Sequence, residues 1–321
     1  MTHAVFLDAA SLGSDLTLDA IASEVDSLTV FDHTSDADVV ARCTSKQAVF
    51  TNKVSFSAEV MDALPELRYI GLTATGSDPI DIEAARERNI AVSNIVAYCT
   101  ASVTQHVFAV LLALTHNITR YARDVRNGKW QQATQFCMLD YPVRELHGLT
   151  LGIFGYGELG HSVATLARAF GMNVIIAARD ASDERDDRVP HHSVFERADV
   201  ISLHFPLTPT TRHMINASTL ALMKPTAVLI NTARGGLVDA AAMAAALQQG
   251  QIGGAGLDVL EPEPPQPDNP LLALDLPNLM ITPHTAWAAR EARQRAIQQA
   301  ADNYSAFRDG RRSNRVDEAR A

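Results

Sequence analysis

The run LGIFGYGELGHSVATLARAFG, residues 151–171, constrains the fold of this chain more than any other feature. It joins an apolar strand pattern to a helix pattern through three glycines in GxGxxG spacing: Gly155, Gly157 and Gly160. The first glycine permits a tight turn, the second lets the backbone approach a diphosphate, and the third lets the helix pack on the strand. Backbone amides around Glu158 and Leu159 start the helix and would point at the phosphates. The run therefore predicts a dinucleotide-binding βαβ unit.

Short apolar runs alternate with helix-like segments on both sides of this motif. Five strand patterns precede it, at residues 4–9, 28–33, 47–52, 67–74 and 90–93. A second series of six lies at residues 150–155, 173–178, 200–205, 227–233, 254–260 and 279–284. Such alternation predicts parallel sheets with helices on both faces. A long helical pattern over roughly 100–126 is expected to carry the chain from one series to the next.

The predicted fold is α/β, with two doubly wound parallel-sheet domains. The length of 321 residues, 47% of them hydrophobic, suffices for two ordinary domains. We expect a Rossmann dinucleotide-binding domain over 100–285 and a flavodoxin-like substrate domain over 1–99 and 286–321, with a cleft between them. The last helix, beginning near Ala289, would return the chain to the first domain.

The composition argues against several functional classes. A formal net charge of −10 disfavours a general nucleic-acid binder. The start MTHAVFLDAASLGSD does not read as a signal peptide, and no apolar run has the length of a membrane span. The cysteines at 43, 99 and 137 lack metal or CxxC spacing, so we interpret them as reduced thiols. These features predict a cytoplasmic protein without a metal site or a membrane partner.

The stretch NVIIAARD, residues 173–180, raises the question of cofactor preference. An acid that binds the adenosine ribose is expected about 20 residues after the glycines. Counting from Gly160 reaches Asp180, which would favour NAD(H). Counting from the end of the apolar run puts Ala178 at the sheet edge with Arg179 beside it. An alanine there leaves room for a 2′-phosphate and an arginine can bind it, so this second register, which we favour, predicts NADP(H).

Three further strand patterns end in polar side chains. Arg234, Asp258 and His284 each follow a strand, and Glu263 comes five residues after Asp258. Strand carboxyl ends face the ligand crevice in an open parallel sheet, so we expect these side chains to form a site there.

Several segments resemble the D-isomer-specific 2-hydroxyacid dehydrogenases over nearly the whole chain. They are GYGELG, HFPLTPTTRHMI, MKPTAVLINTARGGLVD, GGAGLDVLEPEPP and NPLLALDLPNLMITPHTAW. The segments VFTNKV, ATGSDPIDIEAA and QFCMLDYPVRELHG most resemble the bacterial glycerate dehydrogenase, or hydroxypyruvate reductase, branch. The resemblance implies that Arg234 binds the substrate carboxylate, that His284 is the proton donor and acceptor, and that Glu263 pairs with His284.

The same resemblance implies further site residues and a partner. Backbone N–H groups of Thr75, Gly76 and Ser77 would bind the substrate carboxylate, while Thr104, Thr232, Ala233 and Asp258 would lie near the nicotinamide. A homodimer is implied, with residues 120–147 embracing the partner subunit. The resemblance leaves the roles of Gln105, Trp130 and Trp287 open.

Three functions remain at this stage. The first is an NADPH-dependent reductase of hydroxypyruvate, glyoxylate or a similar 2-keto acid. The second is an NAD-dependent dehydrogenase of the same class working in the oxidative direction. The third is a nucleotide-sensing interaction protein of the corepressor type, since some relatives of this fold with that role keep the same triad.

Overall fold

A computed structural model gives the fold and describes residues 1–180, 182–183 and 185–318. The chain packs as two compact units. One comprises Met1–Cys99 together with the described residues from Ala288 onward, and the other comprises Thr100–Trp287. The assignment of these units to substrate and cofactor stays a prediction at this point.

The first unit contains a five-stranded parallel sheet in the order β2-β1-β3-β4-β5. Its strands are β1 His3–Phe6, β2 Ser27–Val30, β3 Ala48–Thr51, β4 Tyr69–Leu72 and β5 Ala91–Ser93. Short helices connect them: α1 Asp19–Ala22, α2 Val39–Cys43, α3 Ala58–Asp62 and α4 Ile82–Glu87, with 3-10 turns at Ala9–Leu12 and Asp36–Asp38. This is the strand order of flavodoxin-like sheets, so the predicted fold class is confirmed for this unit.

The helix Arg290–Arg308 near the C-terminus packs against the same sheet. The ring of Tyr69 on β4 lies 5.2 Å from that of Tyr304 and 4.9 Å from that of Phe307, measured between centroids. β3 and β4 are buried at every residue. Parallel strands covered on both faces are apolar throughout, which explains why these runs were recognisable in the sequence.

The second unit contains a seven-stranded parallel sheet in the order β12-β11-β10-β9-β6-β7-β8. Its strands are β6 Thr150–Phe154, β7 Asn173–Ala177, β8 Arg188–Val189, β9 Val200–Leu203, β10 Val228–Asn231, β11 Gly254–Leu257 and β12 Leu279–Ile281. The order reverses between β6 and β9, as in a Rossmann fold, so the predicted class is confirmed here as well.

The charged run RDASDERDDR, residues 179–188, contributes to the edge of this sheet. Its last residue, Arg188, forms β8 with Val189. Ladder pairing of Arg188 with Ile176 and of Val189 with Ala177 outweighs the polar composition. Residues 181 and 184 of that run lie outside the described part of the chain.

The helices of the second unit are α5 Thr100–Thr115, α6 Ile118–Arg126, α7 Glu158–Ala169, α8 His191–Arg197, α9 Ala217–Leu220 and α10 Ala240–Gln248, with 3-10 turns at Trp130–Gln132 and Gly235–Leu237. The helical stretch expected over roughly 100–126 is therefore present, but it consists of two helices. It breaks at Asn117, whose backbone φ is 51° and whose side chain donates to the carbonyl of Pro142 at 2.8 Å. Asparagine tolerates this left-handed conformation because its short polar side chain bonds locally.

None of the helices in the described ranges combines the length and the apolar character needed to cross a membrane.

Candidate active site

The glycine loop joins β6 to α7 at the point where the strand order reverses. Gly155 has a φ of 88°, and a Cβ there would lie 2.4 Å from the carbonyl oxygen of His204. A Cβ on Gly160 would lie 2.1 Å from the carbonyl oxygen of Gly155. These two glycines are therefore required by the packing of the protein itself.

Gly157 differs from its two neighbours in the motif. A Cβ added there would meet no atom within 4 Å, so packing does not demand a glycine. Gly157 is the N-cap of α7 and provides no side-chain acceptor for the first N–H groups of the helix. Uncapped N–H groups and open space at a helix start suit a diphosphate. The loop therefore fits a dinucleotide cofactor, and the helix start at Glu158 and Leu159 lies where the sequence predicted it.

Two buried polar atoms lie at the carboxyl ends of the neighbouring strands β9 and β10. They are Nδ1 of His204 and Oγ1 of Thr232, and neither has a hydrogen-bond partner within the described chain. Burial lowers the pKa of His204 to about 4, so its ring is neutral near pH 7. Buried polar atoms are normally satisfied, and these two are orphaned at the edge where a ligand binds in such sheets. Both observations fit a polar ligand at this edge.

The end of β7 settles which residue stands at the sheet edge. The strand ends at Ala177, and the N–H of Ala178 still donates to the carbonyl of Val189 at 2.9 Å. The carboxylate of Asp180, by contrast, accepts from the N–H of Ser182 at 2.8 Å and from its hydroxyl at 2.5 Å, closing a local turn. The register that puts Ala178 at the edge is therefore the one seen in the structure.

Arg234 follows β10 and lies on a loop that is fixed from two sides. The buried side chain of Asn231 accepts from the N–H of Ala233 at 3.0 Å and donates to the carbonyl of Arg234 at 2.9 Å. A Cβ on Gly235 would lie 2.0 Å from the backbone of Leu260. Since Leu260 begins the segment that carries Glu263, this close backbone approach sets the distance between the two loops.

Glu263 and His284 form a pair at the same edge. Nδ1 of His284 lies 2.7 Å from Oε2 of Glu263, while Oε1 of Glu263 accepts from the N–H of Leu260 at 3.1 Å. The side chain of His284 is 31% exposed and that of Glu263 is 36% exposed, so solvent reaches the pair. The bond at Nδ1 leaves Nε2 as the ring nitrogen able to exchange a proton.

The backbone around His284 is held by Asp258, whose side chain is buried. One carboxylate oxygen accepts from the hydroxyl of Thr282 at 2.6 Å and from the N–H of Thr285 at 2.9 Å. The other accepts from the N–H of Ala286 at 2.8 Å. His284 itself has a backbone φ of 54°, a conformation that persists in a non-glycine residue only when its surroundings enforce it.

His106 of α5 adds to the contacts around Asp258 and Thr282. Its Nε2 lies 3.0 Å from Oγ1 of Thr282 and 3.5 Å from Oδ1 of Asp258. Sequence reasoning missed both residues. His106 lies within a helix, and Thr282 directly follows β12 but was not singled out among the polar residues near strand ends. It assigned Asp258 to the nicotinamide, whereas the contacts seen here are with the His284 segment; the cofactor contact stays a prediction.

Comparison with known proteins identifies the family. Residues 108–286 match the family model described as D-isomer specific 2-hydroxyacid dehydrogenase, NAD binding domain. The chain is 46% identical to glycerate dehydrogenase of Methylorubrum extorquens over 280 residues, covering 87% of this chain and 88% of the relative. It is 38% identical to hydroxypyruvate reductase of Blautia hydrogenotrophica over 290 residues, covering 88% and 89%.

The chain is a D-isomer-specific 2-hydroxyacid dehydrogenase family member. The predicted family and its glycerate dehydrogenase branch are thus confirmed, and the chain is an oxidoreductase with an NAD(P)-binding Rossmann unit. Among solved structures, it resembles the NADPH-dependent glyoxylate/hydroxypyruvate reductase of Sinorhizobium meliloti in complex with NADP and malonate. The TM-score is 0.82 at 28% identity, covering 98% of this chain and 96% of that one.

The remaining residues that the family resemblance singled out lie in several places. Thr104 is buried on α5, where its hydroxyl donates to that of Ser162 on α7 at 2.9 Å. Thr75, Gly76 and Ser77 lie in the first unit on the loop after β4, where Asn94 donates to the carbonyl of Thr75 at 2.7 Å. Their roles toward cofactor and substrate stay predictions.

The family resemblance assigns no role to three further residues. Gln105 is exposed on α5, Trp130 is 51% exposed, and Trp287 is partly buried. Among the residues that the structure describes, no three His, Cys, Asp or Glu side chains are grouped so as to hold a metal ion.

The glycine loop of this dehydrogenase family member generates a first prediction. Gly157→Ala places a methyl group where the protein has open space but a diphosphate would lie. We expect the dissociation constant for NADPH to rise at least about tenfold, equivalent to ~1.4 kcal/mol. The melting temperature should change by less than about 2 °C, because no protein atom is displaced. Fluorescence titration and calorimetry measure the two quantities.

Gly155→Ala is the matched control for that variant. Its φ and its contact with His204 make alanine strained, so the control should lower the melting temperature clearly. A Gly157→Ala variant that bound NADPH normally would show that the diphosphate does not lie over α7.

Proposed function

We propose that this protein is an NADPH-dependent reductase that converts hydroxypyruvate, glyoxylate or a similar small 2-keto acid into D-glycerate, glycolate or the corresponding 2-hydroxy acid. The observation that carries the proposal is the Glu263–His284 pair. It lies at the carboxyl edge of the same sheet as the glycine loop, with Arg234 on a neighbouring loop. The names of the relatives and of the solved neighbour support the substrate class.

In this proposal the protein supplies binding, orientation and one proton. Arg234 binds the substrate carboxylate through its planar guanidinium, and its charge polarises the 2-keto oxygen. His284 donates the proton from Nε2 to that oxygen in reduction and accepts it in oxidation. The bound nicotinamide cofactor supplies or accepts the hydride at C2.

Glu263 acts on the reaction through His284. By accepting the Nδ1–H bond, it fixes the ring orientation and stabilises the positive charge of the ring when both nitrogens are protonated. Asp258 and Thr282 hold the segment on which that ring is mounted. Thr75, Gly76 and Ser77 are proposed to add backbone N–H groups to the substrate carboxylate, and Thr104, Thr232, Ala233 and Asp258 to contact the cofactor.

The role of His284 generates the second prediction. His284→Ala should lower kcat for hydroxypyruvate reduction by ~10²–10⁴-fold, because it removes the positioned general acid. The dissociation constant for NADPH should stay within about threefold of wild type, since only proton transfer is lost. Steady-state kinetics and fluorescence titration separate the two effects.

Glu263→Gln and Glu261→Gln form a matched pair for the same assay. Glu261 pairs with Arg212 at 2.7 and 2.8 Å rather than with His284. We expect Glu263→Gln to lower kcat by at least about tenfold and Glu261→Gln to change it by less than about threefold. Equal losses in both variants, or a collapse of cofactor binding in His284→Ala, would assign these groups a structural role.

Cofactor preference is proposed from the end of β7. Ala178 stands at the sheet edge, offers no carboxylate to the ribose hydroxyls and leaves room for a 2′-phosphate. The neighbouring Arg179 lines a surface cavity just beyond the strand. A charge-assisted contact with a phosphate is worth roughly 1.5–3 kcal/mol, and each 1.4 kcal/mol is tenfold.

The third prediction follows from this arrangement. Wild-type protein should prefer NADPH over NADH by about 10–100-fold in kcat/KM. Ala178→Asp combined with Arg179→Ala should reverse the preference, because it restores a ribose acceptor and removes a phosphate partner. A panel of 2-keto acids measured with both cofactors tests preference and substrate class together.

An opposite outcome of this assay would be equally informative. A wild type that prefers NADH and loses NADH binding in Asp180→Ala would show that Asp180 holds the ribose. The reaction class would then stand, with NAD(H) as the cofactor.

A homodimer is proposed from exposed apolar side chains in one segment of the second unit. Within residues 120–147, the exposed fractions are 38% for Val125, 51% for Trp130, 88% for Phe136, 83% for Leu139 and 53% for Val143. Large apolar groups gathered in this way mark interaction surfaces. The segment agrees with the dimer arm that the resemblance implies.

The fourth prediction concerns this segment. Phe136→Asp with Leu139→Asp should convert a dimer into a monomer at micromolar concentration, measured by light scattering. Leu272→Asp is the control, because Leu272 is 45% exposed but lies outside the segment. A monomeric wild type, or dissociation caused equally by the control, would contradict the proposed interface.

A further inference from the structure

A surface cavity of about 260 Å³ opens just beyond the end of β7. Two arginines and two aspartates line it with one serine: Arg179, Asp180, Ser182, Asp183 and Arg185. The cavity follows Ala178, the edge position at which Rossmann folds distinguish a ribose hydroxyl from a 2′-phosphate. The charged residues that line it therefore affect the preference between NADPH and NADH.

Asp183 occupies three hydrogen-bond donors of this cavity. Its Oδ2 accepts from the N–H of Arg179 at 2.7 Å and from Nη2 of Arg185 at 2.6 Å. Its Oδ1 accepts from Nε of Arg185, also at 2.6 Å. The Asp183 side chain is only 7% exposed, whereas that of Arg185 is 52% exposed. The carboxylate is thus enclosed by its donors, and the guanidinium remains accessible from outside.

These contacts stabilise the ionised carboxylate. The two hydrogen bonds from Arg185 and the N–H of Arg179 hold the pKa of Asp183 well below its usual range. Asp183 is therefore an anion near neutral pH. Asp180 also lines this cavity, but its carboxylate accepts hydrogen bonds from Ser182 and not from an arginine side chain.

The donor set around Asp183 is one that a phosphate would also use. A backbone N–H and a two-pronged guanidinium are typical ligands of phosphate and of carboxylate alike. An anion entering this cavity has to compete with Asp183 for Arg185. A neutral ribose hydroxyl does not, since it gains little from displacing a bidentate ion pair.

We propose that Asp183 is a specificity-determining residue, an internal carboxylate that occupies the 2′-phosphate donors and weakens NADPH binding until it is displaced. The proposal rests on the proposed NADPH preference and adds a second arginine, Arg185, to the phosphate contacts. Asp183 thereby limits how strongly this site discriminates between the two cofactors.

The test is equilibrium binding of NADPH and NADH to the full chain, followed by nicotinamide fluorescence. Asp183→Asn keeps an oxygen for the N–H of Arg179 but loses the charge that holds Arg185. We expect the dissociation constant for NADPH to fall by about three- to tenfold and that for NADH to change by less than about twofold.

Asp180→Asn is the charge-matched control on the same cavity. A general gain from removing one negative charge would tighten NADPH equally in both variants, and that result would overturn the proposal. A weaker NADPH complex in Asp183→Asn would also overturn it, because Asp183 would then organise the loop rather than compete with the phosphate.

Arg185→Gln completes a double-mutant cycle. Alone it should weaken NADPH binding, and in its presence Asp183→Asn should tighten NADPH by less than about twofold. An unchanged effect of Asp183→Asn in that background would show that the competition does not run through Arg185.

The cycle also separates this inference from the proposed function. A wild type that prefers NADPH, with no tightening in Asp183→Asn, overturns the role of Asp183 alone. A wild type that prefers NADH, and binds it more weakly in Asp183→Asn, overturns both, because Asp183 would then be the ribose acceptor.

Discussion

The carboxylate of Asp258 holds the edge of the sheet on which the site is built. It is buried at the end of β11, and three donors from the segment after β12 satisfy it. Leaving a buried carboxylate without donors would cost several kcal/mol of folding free energy, which keeps these donors in place. The segment that carries His284 is thereby fixed, including a backbone conformation that a free chain would avoid.

The same edge is tightened from the neighbouring loop. Gly235 brings the loop of Arg234 against the backbone at Leu260, and Leu260 in turn donates to Glu263. Arg234, Glu263 and His284 therefore sit on loops that are tied to one another by backbone contacts. Orientation fixed in advance is the main contribution that a protein makes to hydride and proton transfer.

The second unit contains polar groups of two kinds, those with hydrogen-bond partners and those without them in the described chain. Around Asp258 each carboxylate oxygen has a donor, whereas the start of α7 has no side-chain cap and His204 and Thr232 bury atoms without partners in the described chain. Asp183 is an intermediate case, since its own carboxylate fills a donor set suited to an anion. The groups without hydrogen-bond partners mark where a ligand fits. The groups with partners hold the surrounding loops in place.

Most of the fold could be predicted because its signals are local. The glycine spacing, the apolar runs and the polar residue after each run lie within a few residues of one another, so the sheets and the positions of Arg234 and His284 were readable. Sequence prediction failed where contacts with distant parts of the chain overrode the local pattern. Asn117 broke an apparently continuous helix, and Arg188 joined a strand from within a charged run.

The sequence by itself determined the order of strands and helices and which side chains end the strands. Tertiary structure alone decided which partners those side chains found. His106 and Thr282 are 176 residues apart, and Asp258 reaches Thr285 across 27 residues. The Glu263–His284 bond was expected only from a family resemblance, and the contact of Asp183 with Arg185 was not expected at all. A hydrogen bond depends on distances of a few ångströms, which are set only when the strands have been placed side by side.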